Sequence, residues 1–138
     1  MRFALISSCL IGLNTKYDGT NNLRSEIVKR LKKEYILIPV CPEQLGGLPT
    51  PRNPCEIKDG KVLDIEGRDF TDNFYKGAIE TLKVARFFGA DIAFLKSKSP
   101  SCGFGKVYDG SFSRRLVDGR GIAARVLAEN GIKIVCVD

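Results

Sequence analysis

No histidine occurs among the 138 residues of this chain. That absence removes serine-histidine and cysteine-histidine nucleophilic machinery, together with every histidine-ligated metal site. Acid and base work must then fall to carboxylates, lysine, tyrosine or cysteine. A long apolar run is also missing: none approaches the ~18 residues of a membrane span, and no charged, apolar and small-residue leader precedes the first strand-like segment. A soluble, cytoplasmic protein without a membrane partner is the expectation. Paired C-x-x-C knuckles are absent too, which argues against a structural zinc site closed by its ligands.

Cysteine is present in a telling number. The five residues, at positions 9, 41, 55, 102 and 136, are odd in count and come without an export signal, so reduced thiols are expected rather than a disulfide framework. Hydrophobic content of 43% over this length suits one domain, residues 1–138, with a single core. The net charge of +6 is spread along the chain. Its tightest cluster, Lys29, Arg30, Lys32 and Lys33, reads as the wet face of a helix, which argues for solvation and against a nucleic-acid interface. Nothing in the pattern speaks to oligomeric state.

Strand and helix patterns alternate. Phe3–Ser7 reads as a short buried strand, followed by a helix with Leu23, Ile27, Val28 and Leu31 on one side and Asn21 or Asn22 as N-cap. Tyr35–Val40 is a continuous apolar run, the pattern of a parallel strand covered on both faces. A long loop rich in proline and glycine follows, then a small hairpin about Lys58-Asp59-Gly60. A helix with Phe74, Ala78, Leu82 and Ala85 inward ends at Gly89, capped at its start by Thr71 or Asp72. Asp91–Leu95 and Ile132–Val137 read as further strands, with a helix over 121–130 between them. The expected fold is α/β: one three-layer, Rossmann-like domain with a mostly parallel sheet and helices on both faces.

On that outline Cys9, Cys41 and Cys102 all fall at strand exits. In a parallel sheet these exits lie along one edge, where such folds bind ligands, so three thiols distant in sequence should meet in one crevice. The competing reading is that small apolar thiols merely pack there. Cys136, at an alternating position in the last strand, reads as a core residue, and Cys55 as loop packing or a spare partner of the site. Soft thiolates select iron-sulfur clusters, and three cysteines on a 4Fe-4S cluster would leave one iron open as a Lewis acid.

Four stretches carry a resemblance: "ISSCLIGLNTKYDG" at 6–19, "IPVCPEQLGGLPTPRNPCEI" at 38–57, "VLDIEGRDFTDNFYKGA" at 62–78 and "FLKSKSPSCGFGKVYDGSFSRRLVDGRGIAA" at 94–124. Together they resemble the family known as domain of unknown function 523, which includes the thiouracil desulfidases. The resemblance implies a 4Fe-4S cluster held by Cys9, Cys41 and Cys102, and a reaction in which water replaces the sulfur of a thiocarbonyl compound such as a thiolated nucleobase. It further implies catalytic roles for Glu43 and Ser99, with Glu43 accepting a proton from water and Ser99 donating a hydrogen bond to the heterocycle.

Tyr17, Ser101, Gly103 and Tyr108 are the candidate substrate contacts: the tyrosines as flat walls, the glycine as a point of close backbone approach. Each has a plainer reading. Glu43 could pair with Arg52, Ser99 could be a turn residue before Pro100, and the repeated "KYDG" (16–19) and "VYDG" (107–110) could be one structural turn used twice. Arg52 and Lys96 are either contacts for an anionic group or solvated charges. A non-enzymatic iron-sulfur or sulfide carrier, and a basic nucleotide-binding module with structural cysteines, are the alternative functions.

Overall fold

Residues 1–138 are described by a computed structural model. Strand β1 (Arg2–Ser7) has its last four residues buried and runs into one turn of 3-10 helix, Ser8–Ile11. Helix α1 (Ser25–Leu31) then returns the chain to β2 (Tyr35–Val40). Ile27, Val28 and Leu31 pack half-buried on the sheet, but Leu23, expected on the same stripe, precedes the helix and is exposed. The N-cap is Arg24 rather than Asn21 or Asn22. Asn21 instead accepts the Leu23 N–H through Oδ1, an Asx turn that comes before the helix begins.

After β2 a one-turn helix, α2 (Pro42–Leu45), stands where the sequence suggested only loop. Proline opens it at the first helical position, where its missing N–H has no intrahelical partner to lose. Tertiary contact stabilises so short a helix. It lies against α3 (Thr71–Phe88) so closely that a Cβ on Gly46 would stand 2.1 Å from the Asn73 carbonyl oxygen, and one on Gly77 1.8 Å from that of Pro42. Two glycines are what lets the backbones meet. Asn73 Nδ2 fastens the contact by donating to the Gly46 carbonyl at 2.9 Å.

The expected hairpin is β3 (Cys55–Lys58) with β4 (Lys61–Asp64), antiparallel about Asp59-Gly60, both at positive φ as a two-residue connection prefers. In α3 the stripe Phe74, Ala78, Leu82 and Ala85 is buried, and Gly89 in the left-handed region ends the helix. Its N-cap is Phe70, not Thr71 or Asp72. Strand β5 (Ile92–Lys96) leads through the 97–103 loop to an unforeseen antiparallel pair, β6 (Phe104–Tyr108) and β7 (Leu116–Arg120). Helix α4 (Ile122–Glu129) and β8 (Lys133–Val137) close the chain.

Strands β2, β1, β5 and β8 form, in that order, one wholly parallel sheet. Helices α3 and α4 cover one face, around Leu5, Leu82, Leu95 and Leu127, and α1 covers the other, around Ile6, Leu10 and Phe94. The expected three-layer α/β architecture is what the structure contains. Cys136 departs from expectation. It is exposed because β8 is an edge strand with no neighbour beyond it. The chain leaves β1 to one side for β2, and β5 lies on the other side, so strand order reverses between β1 and β5; that is where α/β sheets bind ligands. No helix is long and apolar enough to cross a membrane.

Candidate active site

A cavity of about 550 Å³ opens at this reversal, and Cys9, Cys41 and Cys102 all line it. Each is placed by a different element. Cys9 sits in the 3-10 turn at the exit of β1, where its carbonyl accepts the N–H groups of Gly12 and Asn22. Cys41 is the N-cap of α2, placed ahead of the Glu43 and Gln44 N–H groups of the first turn but without a capping hydrogen bond to them; its sulfur lies 3.9 Å from the Thr15 carbonyl oxygen and from Arg52. Cys102 lies in the 97–103 loop, which is bound to α4: the Pro100 and Ser101 carbonyls accept from Ile122 and Ala124, serving donors at the helix start that lack intrahelical partners.

Burial pushes the Cys102 thiol up to about 12, opposed by a hydrogen bond from Ser7 and reinforced by Cys41, Cys9 and Glu43. Burial also raises Cys41, against the two N–H groups that favour its thiolate. Both are therefore thiols at neutral pH in the absence of an electrophile or metal.

The cavity's polar wall is a single connected network. Glu43 on α2 is 14% exposed and Arg52 only 7%. Arg52 Nε donates to Glu43 Oε1 at 3.0 Å, while its other nitrogens reach Thr50 Oγ1 at 2.8 Å, the Thr15 carbonyl at 2.9 Å and Cys41 Sγ at 3.9 Å. Arg52 is thus neither solvated nor free for an anionic ligand; it ties the 13–17 loop, α2 and Cys41 together. Ser101 Oγ donates to Glu43 Oε2 at 2.7 Å and lies 3.0 Å from Ser99 Oγ. A carboxylate only accepts, so Ser101 gives its proton to Glu43 and Ser99 gives its own to Ser101. Ser99 Oγ in turn accepts the N–H groups of Ser101 and Cys102, both at 3.1 Å. It is a turn residue and a member of the network at once.

Tyr17 and Tyr108 line the cavity, as do Ser99 and Ser101. Gly103 does not. It packs behind the loop, where a Cβ would stand 2.5 Å from the Ser99 carbonyl oxygen, and its own carbonyl accepts from Gly121. The repeated Y-D-G phrase is a structural turn used twice: Asp18 accepts the N–H and hydroxyl of Thr20, and Asp109 those of Ser111. Lys96 is half-buried in the wall, donating to Ser97 Oγ at 3.1 Å, and burial lowers its ammonium below the usual lysine range. Cys55 also touches the cavity; burial pushes its thiol up to about 12. Phe112 and Arg114, on the β6–β7 connection, are lining residues that sequence reasoning missed. The serine-rich turn "DGSFSRR" was their only signal.

No three acidic, histidine or cysteine side chains converge closely enough to hold a single metal ion. Three soft thiols lining one cavity, in a chain without histidine, are a donor set whose chemistry fits an iron-sulfur cluster.

Comparison with known proteins agrees. A family model described as 2-thiouracil desulfurase matches residues 4–138. The uncharacterized protein YbbK of Bacillus subtilis (strain 168) is 37% identical over 141 residues, 95% of this chain and 93% of that one. Among solved structures, the [4Fe-4S]-dependent thiouracil desulfidase TudS superposes with a TM-score of 0.92 at 35% identity, over 99% of this chain and 91% of that one.

Proposed function

The chain belongs to the 2-thiouracil desulfurase family, and on that premise we propose that it is a [4Fe-4S]-dependent desulfidase that hydrolytically removes sulfur from a small, flat thiocarbonyl compound of the thiouracil type. The observation that carries this reading is the meeting, in one cavity, of three cysteine thiols with a partly buried carboxylate that is wired to two hydroxyls. Cys9, Cys41 and Cys102 would hold the cluster, and a cluster so held supplies an iron with no protein ligand, a Lewis acid for sulfur.

The chain's own residues supply the rest. Glu43 faces the cavity with one oxygen fixed by Arg52 and the other by Ser101, and it accepts a proton from the attacking water. Once protonated it becomes a donor, and the hydrogen bond beyond it reverses: Glu43 donates to Ser101 Oγ, which still accepts from Ser99, whose own acceptor positions are filled by two backbone N–H groups. The Ser101 proton, held in line by Ser99, is then free to be donated to the heterocycle, where charge has developed. Tyr17 and Tyr108 give the ring flat surfaces.

The test is anaerobic reconstitution followed by incubation with 2-thiouracil, scoring hydrosulfide and uracil. Wild type should turn over. Glu43→Gln should lose about 100-fold or more in turnover while retaining iron and visible absorption. Undiminished turnover by that variant would remove Glu43 from the mechanism. A fully loaded wild type that releases no sulfide would favour a carrier, which has no use for Glu43.

A further inference from the structure

The outer side of the cavity is closed by the β6–β7 hairpin through Tyr108, Phe112 and Arg114. Ladder pairing ends at Tyr108 and Leu116; beyond it one backbone bond, Asp109 N–H to the Arg115 carbonyl at 2.9 Å, and the Asp109 turn on Ser111 hold the base of the tip, and the rest of its support comes from outside the hairpin. Within it Phe112 and Arg114 have φ of 57° and 63°. Non-glycine residues rarely adopt that left-handed conformation, and where they do the surroundings over-determine it. Here the surroundings are β3. Glu56 Oε1 accepts the N–H of Gly110 at 3.0 Å and of Phe112 at 3.1 Å. Gly110 is pressed against the same strand: a Cβ would stand 2.6 Å from Lys58 Cβ and 2.8 Å from the Ile57 carbonyl oxygen. Glu56 itself reaches the cavity wall, yet its recorded partners are these two amides and no group of the Glu43 network.

We propose that Glu56 is a positioning residue for substrate fit: by pinning two amides of the hairpin tip, it sets where Phe112 and Arg114 stand against the bound molecule. The inference rests on the cavity being the desulfidase site. Glu56 takes no part in proton transfer or in holding the cysteines, so its loss should appear in KM and not in kcat.

Glu56→Ala leaves both amides without an acceptor, whereas Glu56→Gln offers an oxygen at the same reach without the charge. With iron-loaded protein and 2-thiouracil, the alanine variant should raise KM about 10-fold with kcat within about twofold, and glutamine should restore KM to within about threefold of wild type. Gly110→Ala displaces the tip from the other side and should also raise KM. Amide exchange at Gly110 and Phe112 should accelerate about 10-fold or more in Glu56→Ala and stay slow in Glu56→Gln, with iron content unchanged in both.

Equal losses in the glutamine and alanine variants would make charge the working property and overturn the proposal. So would a fall in kcat at constant KM, or fast exchange with KM unmoved. A wild type that releases no sulfide sinks the desulfidase reading instead, and exchange still decides the pin: unprotected Gly110 and Phe112 amides in wild type would refute it.

Discussion

Arg52→Met removes the centre of the wall network while leaving an apolar chain of similar reach. The guanidinium is 7% exposed and serves Glu43, Thr50, the Thr15 and Pro49 carbonyls and the Cys41 sulfur. Its loss strands Glu43, itself only 14% exposed, without a cation. Breaking a buried pair from one side costs about 3–5 kcal/mol, against about 0–1 kcal/mol for a surface pair. For a domain of this size about 1 kcal/mol moves Tm by about 3–4 °C, so Arg52→Met should lower Tm by about 10–20 °C.

The double variant Glu43→Gln/Arg52→Met removes the stranded charge as well and should cost less than the sum of the two single changes, by about 2 kcal/mol. Thermal unfolding followed by far-UV circular dichroism, at matched iron content, reads all four proteins. A drop of less than about 3 °C for Arg52→Met, or strict additivity in the double variant, would mean that Glu43 is solvated and the network is not what orders the wall.

Three further outcomes follow from the same geometry. Because burial holds the Cys102 and Cys41 thiols up, ligation must release protons, so iron incorporation at constant sulfide should rise between about pH 6.5 and 8.5; a flat profile would refute thiol ligation. Burial would raise the Asp64 carboxyl, but bonds from the Arg68 side chain and backbone and from Asn53 outweigh it and hold it below the usual range. Its stabilisation is therefore present above its unfolded pKa of about 3.9 and lost as pH falls through the folded value, and Asp64→Asn should flatten the acid limb of a stability profile. Gly77→Ala places a methyl into the Pro42 carbonyl and must displace α2; it should cost about 1–3 kcal/mol and reduce iron retention through Cys41.

How far the fold could be read from sequence follows from which contacts are local. Continuous apolar runs at Phe3–Ser7 and Asp91–Leu95 made the central strands legible, because strands covered on both faces must be apolar throughout; Tyr35–Val40 carries the same pattern and is a parallel strand, but it lies at the sheet's edge with Ile36 exposed, so it is not covered as its run suggested. The β6–β7 hairpin was not legible. Its strands are mostly exposed and interrupted by Gly105 and Gly119, so neither alternation nor an apolar run marks them. Helix α2 escaped for the opposite reason: four residues carry no periodicity, and what stabilises it is a backbone contact with Gly77, distant in sequence. Cys136 was misjudged because alternation reports a side chain's face, not whether its strand lies at the sheet's edge.

The site divides along the same line. Thiols at the ends of three strands could be brought together on paper, since topology alone carries strand exits to one edge. The wiring between side chains could not. Glu43 and Ser99 each had a plain reading and a catalytic one, and the plain ones are what the structure contains: the ion pair with Arg52 fixes one carboxylate oxygen, and the turn at Ser99 aims a hydroxyl chain at the other, while both side chains still line the cavity. Ser101 is the link, a neighbour of Cys102 whose importance lies in standing between two residues, 43 and 99, that sequence places far apart. The same holds for Glu56 and the hairpin tip. Their contact joins residues more than 50 apart in the chain, and it was invisible until β3 and β6 were seen to lie side by side.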